Sequence, residues 1–271
     1  MVVFLAFMAK LWHTGLVKIA RRFVFLKIFR NIATGVKLYS ALRILNPYRK
    51  ALLEAQASGN LEKEREILLE LTSAWGNHVV KTFDIRMTVS GKENIPEKGP
   101  VLFVANHQSF ADIPIACALL DKFQFGFVAK STLERNPLYG RWIRETRNVY
   151  IDRESPRAQL RAIEDAIKLL EQGFSIMIFP EGARSKGPHI DEFKKGSLRL
   201  ATKPGVPVIP IAIHNAYRIF EEYGYVKYGV DVTVNILPAI ETKDMPKDVA
   251  SNLSSTVEEI IRQDLAKGPN A

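Results

Sequence analysis

"VLFVANHQSFADIPIACALL", residues 101–120, is the stretch whose reading decides the fold. It begins with an unbroken apolar run, "VLFVA", and such a run marks a strand covered on both faces. It ends with "DIPIACALL", which reads as a helix. Between the two stand His107 and Asp112, five positions apart, where a buried strand turns into a helix. In an open α/β sheet, ligands bind at that edge, outside the carboxyl ends of the strands. A neutral imidazole there can accept a proton from a substrate hydroxyl. A carboxylate on its other ring nitrogen fixes the tautomer and stabilises the imidazolium. General-base help of this kind contributes about 10²- to 10⁴-fold. On this stretch alone, an aspartate that caps the helix beside a histidine that merely packs accounts for the pattern equally well.

The same alternation of elements continues in both directions. "FQFGFVA" (123–129), "NVYI" (148–151), "FSIMIF" (174–179) and "VPVIPIAI" (206–213) read as strands. "SPRAQLRAIEDAIKLLEQG" (155–173) reads as a helix with Ser155 as N-cap, Pro156 in its first turn and Gly173 at its stop. Upstream, residues 49–83 are rich in helix formers and break at Ser58-Gly59-Asn60; downstream, 245–267 form an amphipathic helix. "GVDVTVNIL" (229–237) alternates, which suggests a strand at a sheet edge. Strands alternating with helices predict an α/β fold with a largely parallel sheet flanked by helices.

A second strand end carries "FPEGARSKG", residues 179–187. Pro180 stops the ladder, and Gly182 permits a tight turn that exposes backbone N–H groups. Arg184 offers a planar fork suited to phosphate. Glu181 is acceptor-only when ionised, so its partner is expected to be a hydroxyl, an amide or the arginine. By itself this stretch reads first as a solvated polar turn. Lys130 follows the strand at 123–129 and Arg153 follows the strand at 148–151. Four strand ends with basic or titratable residues share one edge of a parallel sheet, which suits an anionic substrate whose hydroxyl is to be deprotonated.

Several motifs are absent. There is no G-x-S-x-G elbow, no H-E-x-x-H, no cysteine pair and no nucleotide-binding glycine pattern, so serine hydrolase, zinc and nucleotide-cradle readings lose support. Ser109 is expected to bond the backbone at the helix start. His13, His78, His189 and His214 have no carboxylate at the matching spacing and read as surface or packing residues. Cys117, the one cysteine, reads as a small buried hydrophobe, and its solitude fits a reducing compartment.

Charge divides the chain. Residues 1–50 hold ten Lys or Arg and no Asp or Glu, so a net charge of +9 leaves the remainder at −1. This segment is also apolar and aromatic, which points to an anionic membrane surface rather than to nucleic acid. A spanning helix needs about 20 mostly apolar residues. Here Lys10, Lys18, Arg21, Arg22 and Lys27 interrupt the run. Lys10, Lys18, Arg21 and Arg22 share one arc of a helix, and Lys27, Arg30 and Lys37 fall on another. Two helical pieces lying in the interface are therefore expected over residues 1–45, with a globular body over 46–271. A span or a plain docking helix remain the alternatives. No positive charge precedes the apolar run, which argues against a cleaved signal peptide.

Taken together, the blocks resemble one family. "NHQSFAD" (106–112) is similar to the histidine-x4-aspartate signature of glycerolipid acyltransferases, and "FPEGARS" (179–185) to their second hallmark, commonly Phe-Pro-Glu-Gly-Thr-Arg-Ser. "AK" (129–130), "IDR" (151–153), "FKKGS" (193–197) and "VPVIPIAI" resemble the connecting blocks, over roughly residues 85–240. The similarity is greatest to the 1-acylglycerol-3-phosphate acyltransferases, which make phosphatidic acid. The resemblance implies His107 as base and Asp112 as its orienting partner. It implies Glu181, Gly182, Arg184 and Lys130 around the phosphate, with Arg153 a further candidate. It implies no metal and no cofactor. Acyl-CoA or acyl carrier protein would be the co-substrate and lysophosphatidic acid the acceptor, on the cytoplasmic face of a membrane. Ala183 stands where the family usually has threonine, which leaves open another acceptor: glycerol 3-phosphate, a lysophospholipid or a lyso-ornithine lipid. A catalytically silent membrane-binding homologue is the rival from outside the enzymes.

Overall fold

The computed structural model describes residues 15–137, 139–152 and 155–269, with the side chains of 15–24 and 26 left aside. Lys10, His13 and Arg153 lie outside the described residues. A helix α1 (Gly15–Ala41) leads through a 3-10 turn (Leu42–Leu45) into α2 (Asn46–Ala57) and α3 (Leu61–Thr82). The break between α2 and α3 falls where Ser58-Gly59-Asn60 predicts it. Gly59 takes φ +69°, and the Asn60 side chain caps α3 by accepting from the Lys63 amide at 3.0 Å.

The body is a seven-stranded sheet in the order β1 (Ile85–Ser90), β7 (Val230–Ile236), β6 (Val208–His214), β2 (Leu102–Ala105), β5 (Ser175–Ile178), β3 (Phe125–Lys130), β4 (Val149–Ile151). Every pairing is parallel except β6 with β7. β6, β2, β5, β3 and β4 therefore run one way and β1 and β7 the other. The alternation in β7 does not mark an edge, because β1 covers it. It marks one face turned toward solvent, at Asp231, Thr233 and Asn235.

β2, β5 and β6 are buried at every position, as their continuous apolar runs require. Their alternate side chains feed two cores. Phe103, Ala105 and Met177 pack on one face with Val79 of α3 and Ile115 of α4 (Asp112–Leu119). Leu102, Val104, Ile176 and Ile178 pack on the other with Ala166 and Leu170 of α6 (Pro156–Glu171) and Val257 and Ile261 of α8 (Lys247–Lys267). Each fully buried Val, Leu, Ile, Phe or Met among them contributes roughly 1.5–3 kcal/mol. Ser155 caps α6 as expected, accepting from the Ala158 amide at 3.3 Å.

Glycine lets α3 lie directly on α4. A Cβ at Gly76 would stand 2.6 Å from the Ala118 amide nitrogen and 2.6 Å from the Cys117 Cβ. Cys117 is buried in that contact, and burial pushes its thiol up to about 12, consistent with a hydrophobe and not a nucleophile. Two short helices, α5 (Gly140–Glu145) and α7 (Arg199–Thr202), fill the connections after β3 and before β6. Trp142 of α5 joins Leu52 and Leu68 in a third core that binds α2 and α3 to the sheet.

α1 departs from the two expected pieces. From Gly15 to Ala41 it is one helix, and no proline or glycine between Arg22 and Lys27 would break it. Three of its described polar residues face the body. Arg30 donates to the Val226 carbonyl at 3.1 Å, Asn31 to the Gly224 carbonyl at 3.0 Å, and Lys37 to the Tyr228 hydroxyl at 2.9 Å. The Arg30 guanidinium also stacks on Tyr225. The opposite stripe of Phe25, Ile28, Phe29, Ile32 and Val36 is open, with Phe25 71 % exposed and Ile32 61 %. Among the described residues, no helix is long and apolar enough to cross a membrane.

Candidate active site

The site begins where β2 runs out. Asn106 is fully buried and continues the ladder with its side chain, accepting from the Ile213 amide at 2.8 Å and donating to the Ile213 carbonyl at 2.9 Å. This fixes the chain before it turns, so His107 leaves the sheet in one direction.

Asp112 opens α4 and its side chain reaches back over the turn. One oxygen, Oδ2, receives three donors: His107 Nδ1 at 2.7 Å, the Gln108 amide at 2.8 Å and the Ser109 amide at 2.8 Å. The paired reading holds and the capping reading does not: the helix starts at Asp112 itself, its N-cap position is Ala111 with no side-chain bond, and the two amides that Asp112 receives lie in the turn before the helix. Complete burial pushes its carboxyl above the ordinary range, and the hydrogen bond from His107 and those two amides act in the opposite direction. Ser109 bonds the backbone as expected, its hydroxyl accepting from the Ala111 amide at 3.1 Å.

The imidazole is held on a second side. Phe179, the last residue before "PEGARS", stacks on it with centroids 4.2 Å apart and planes 19° from parallel. With Nδ1 on Asp112 and one face on Phe179, the ring presents Nε2 outward. Among the described residues nothing bonds that nitrogen, and the side chain is 18 % exposed. A hydroxyl arriving at Nε2 would meet a base whose tautomer is already set.

The second motif is joined to the first through the backbone. The Ser185 amide donates to the His107 carbonyl at 2.8 Å, and the Ser185 hydroxyl approaches the same oxygen at 3.3 Å. Glu181 is almost wholly buried. Its Oε1 accepts from the His107 amide at 2.5 Å and its Oε2 from the Asp191 amide at 2.9 Å. Its partners are therefore amides, one of the three kinds the sequence allows. Burial pushes its carboxyl up to about 7 against the pull of those two amides, and the nearby Asp191 and Asp112 add to the rise. Both oxygens being engaged, the geometry of Glu181 is that of a brace under the His107 turn. Gly182 takes φ +77° in the turn, a left-handed conformation that favours glycine.

Arg184 lies on the same edge. Its guanidinium stacks 3.3 Å from the centroid of the Phe110 ring, three residues from His107, and donates from Nη1 to Glu221 at 2.7 Å. Lys130 ends β3 and is exposed. Leu102 and Gly126 both register with Ile176, so β3 lies two strands from β2 and runs parallel to it, and Lys130 ends it on the same carboxyl edge. The two signatures and Lys130 thus share the carboxyl edge of the parallel strands. Phe110, Phe179 and Glu221 were not singled out by sequence reasoning. Phe179 was quoted within the hallmark but read only as a strand end, and Glu221 lies 37 residues beyond Arg184 with no pattern to tie them. Among the described residues no three of His, Cys, Asp or Glu gather as a metal site would need.

Comparison with known proteins finds acyltransferases. A family model described as acyltransferase matches residues 86–214. A 1-acyl-sn-glycerol-3-phosphate acyltransferase of Borreliella burgdorferi is 32% identical over 183 residues, 68% of this chain and 71% of that protein. One from Pseudomonas aeruginosa is 30% identical over 184 residues, 68% and 70% of the two chains. The crystal structure of the 1-acyl-sn-glycerophosphate (LPA) acyltransferase PlsC from Thermotoga maritima superposes with a TM-score of 0.74 at 27% identity, covering 90% of this chain and 98% of that one. From its clamped His–Asp pair, its second motif and these relatives, the chain belongs to the acyltransferase family.

Proposed function

We propose that this protein transfers an acyl group from an acyl thioester to the 2-hydroxyl of 1-acylglycerol 3-phosphate, giving phosphatidic acid. The observation that carries the reading is the imidazole of His107, clamped by Asp112 and Phe179 with Nε2 unbonded among the described residues, while the arginine of the second motif stacks on Phe110 of the same turn. The acceptor hydroxyl lies against Nε2 and its oxygen attacks the thioester carbonyl. The hydroxyl proton passes to the imidazole, whose positive charge is met by Asp112. Collapse of the tetrahedral intermediate expels the thiolate, which takes the proton from His107. The acyl group arrives activated and the acceptor supplies the nucleophile, so no acyl-enzyme is required. Arg184 and Lys130 hold the phosphate, and Glu181 holds the His107 turn in place. The donor is acyl-CoA or acyl carrier protein.

The exposed stripe of α1 supports attachment to an anionic leaflet. Its apolar residues point away from the body while Arg30, Asn31 and Lys37 fasten the helix to it. A helix so placed lies in the interface with its apolar side in the acyl region, bringing the site to where its acceptor resides. Offering 1-acylglycerol 3-phosphate, glycerol 3-phosphate and a lysophospholipid in one assay, and identifying the product by mass, tests the assignment. Phosphatidic acid is the expected product, and acylation of either other acceptor in preference to the first would reject it.

A further inference from the structure

Glu221 is the centre of a small constellation that neither motif contains. It lies in the turn after the 3-10 helix Ala216–Ile219, and its side chain is 3 % exposed. Its Oε1 accepts from Arg184 Nη1 at 2.7 Å and from the Phe110 amide at 3.2 Å. It therefore ties one residue of the first signature to one of the second. The Phe110 ring closes the arrangement by lying 3.3 Å under the Arg184 guanidinium, and Phe220 packs edge-on to Phe110 at 6.1 Å. The arginine is held along one edge and one face. Among the described residues nothing bonds its Nε or Nη2, so the fork that takes two phosphate oxygens is left open.

The ion pair is poorly built as a stability device. Glu221 Oε2 is buried without a hydrogen-bond partner among the described residues, and a carboxylate taken out of water with one oxygen unmet is costly. An amide or an apolar side chain would fill the place with less cost. An arrangement that keeps the acid beside the arginine is accounted for by what it does to the arginine. A free arginine loses much rotamer freedom on gripping a ligand, and one already fixed does not. The turn that carries Glu221 is itself anchored, since α1 holds Gly224 and Val226.

We propose that Glu221 is a positioning residue that pre-sets the Arg184 fork for the acceptor's phosphate. The proposal rests on the reading of Arg184 as the phosphate contact. The test is steady-state kinetics of Glu221→Gln, Glu221→Ala, Arg184→Ala and the Glu221→Ala/Arg184→Ala double variant with 1-acylglycerol 3-phosphate. Glu221→Ala is expected to raise the acceptor's KM about 3- to 10-fold with kcat within about twofold, the cost of one newly immobilised long side chain. Glu221→Gln keeps an acceptor for the arginine and the Phe110 amide and is expected to recover part of that rise. In the double variant the KM should equal that of Arg184→Ala alone, because the acid acts through the arginine. If Arg184→Ala leaves the KM unchanged, the phosphate reading fails and the proposal with it. If Arg184→Ala raises the KM but the Glu221 variants do not, or if the two effects multiply, Glu221 is merely structural and the proposal alone is overturned. Glu221→Gln is nearly isosteric and gives this answer even if the alanine variant does not fold.

Discussion

Replacing Asp112 by asparagine separates what this residue does for the fold from what it does for the chemistry. In the structure three donors converge on Oδ2 while Oδ1 is buried with no hydrogen-bond partner among the described residues. Asparagine can place its carbonyl oxygen where Oδ2 is and its NH₂ where Oδ1 is. All three hydrogen bonds survive and no bond is lost at the other position. The cost to stability should stay within about 1 kcal/mol. Alanine removes the oxygen and leaves the buried amides of Gln108 and Ser109 unmet, at about 1–3 kcal/mol each and so roughly 2–6 kcal/mol together. The chemistry behaves oppositely. Asparagine cannot counter the imidazolium that forms as His107 takes the proton. The barrier should rise by about 2.7–5.4 kcal/mol, a loss of about 10²- to 10⁴-fold in kcat. The measurements are urea unfolding and kcat for the parent, Asp112→Asn and Asp112→Ala. An asparagine variant that keeps more than about a tenth of parental kcat would refute the charge-stabilising role. One that unfolds as readily as the alanine variant would refute the hydrogen-bond accounting.

Glu181 supplies a pH dependence. Its carboxyl rises from an ordinary 4.5 to about 7 in the fold, so between those values the folded chain holds a proton that the unfolded chain has released. Stability conferred by this group is therefore fully present below about 4.5, falls as pH rises toward 7 and levels off above. Glu181→Gln should remove that slope, and urea midpoints at about pH 5, 6, 7 and 8 should draw together or cross in its favour as pH rises; a gap between parent and variant that does not change with pH contradicts the assignment. The α1 stripe gives a third expectation. Each large apolar side chain withdrawn from water contributes roughly 1.5–3 kcal/mol, so Phe29→Ala with Ile32→Ala should weaken co-sedimentation with anionic vesicles by about 100-fold or more, without changing the unfolding midpoint, because both side chains are exposed. Unchanged co-sedimentation would count against interfacial docking.

The parts of the fold that were legible in the sequence are those set by local physics. Continuous apolar runs located β2, β5 and β6, and Ser155-Pro156 located the start of α6. The parts set by distant partners were not. β7 alternates because one of its faces meets solvent, and only the pairing with β1 shows that it is not an edge. The charges on α1 suggested a break because their arc changes, yet the polar arc turns inward to bond Gly224 and Val226, nearly two hundred residues away. The site divides in the same way. His107 and Asp112 are five residues apart and meet at 2.7 Å, a contact that spacing can foretell. Glu181 was found by its place in the motif at a strand end, but that it braces the His107 amide depends on a 74-residue separation. His214 read as a packing residue with no carboxylate near it in sequence; it is buried, and its Nε2 meets Asp264 Oδ1 of α8 at 2.9 Å. Glu221 and Phe110 were invisible for that reason: each matters only through Arg184, which the fold alone brings to them.

The most direct test of the account is the fate of a single turnover in His107→Ala. Purified parent protein, given 1-acylglycerol 3-phosphate with acyl-CoA or acyl carrier protein as donor, should release one phosphatidic acid for each thiol set free. The alanine variant, folded as judged by an unchanged unfolding midpoint, should fall to about one per cent of that rate or below, the loss expected when a general base is removed. A folded His107→Ala protein that still forms phosphatidic acid at more than about a tenth of the parent rate would contradict the claim that this imidazole takes the acceptor's proton.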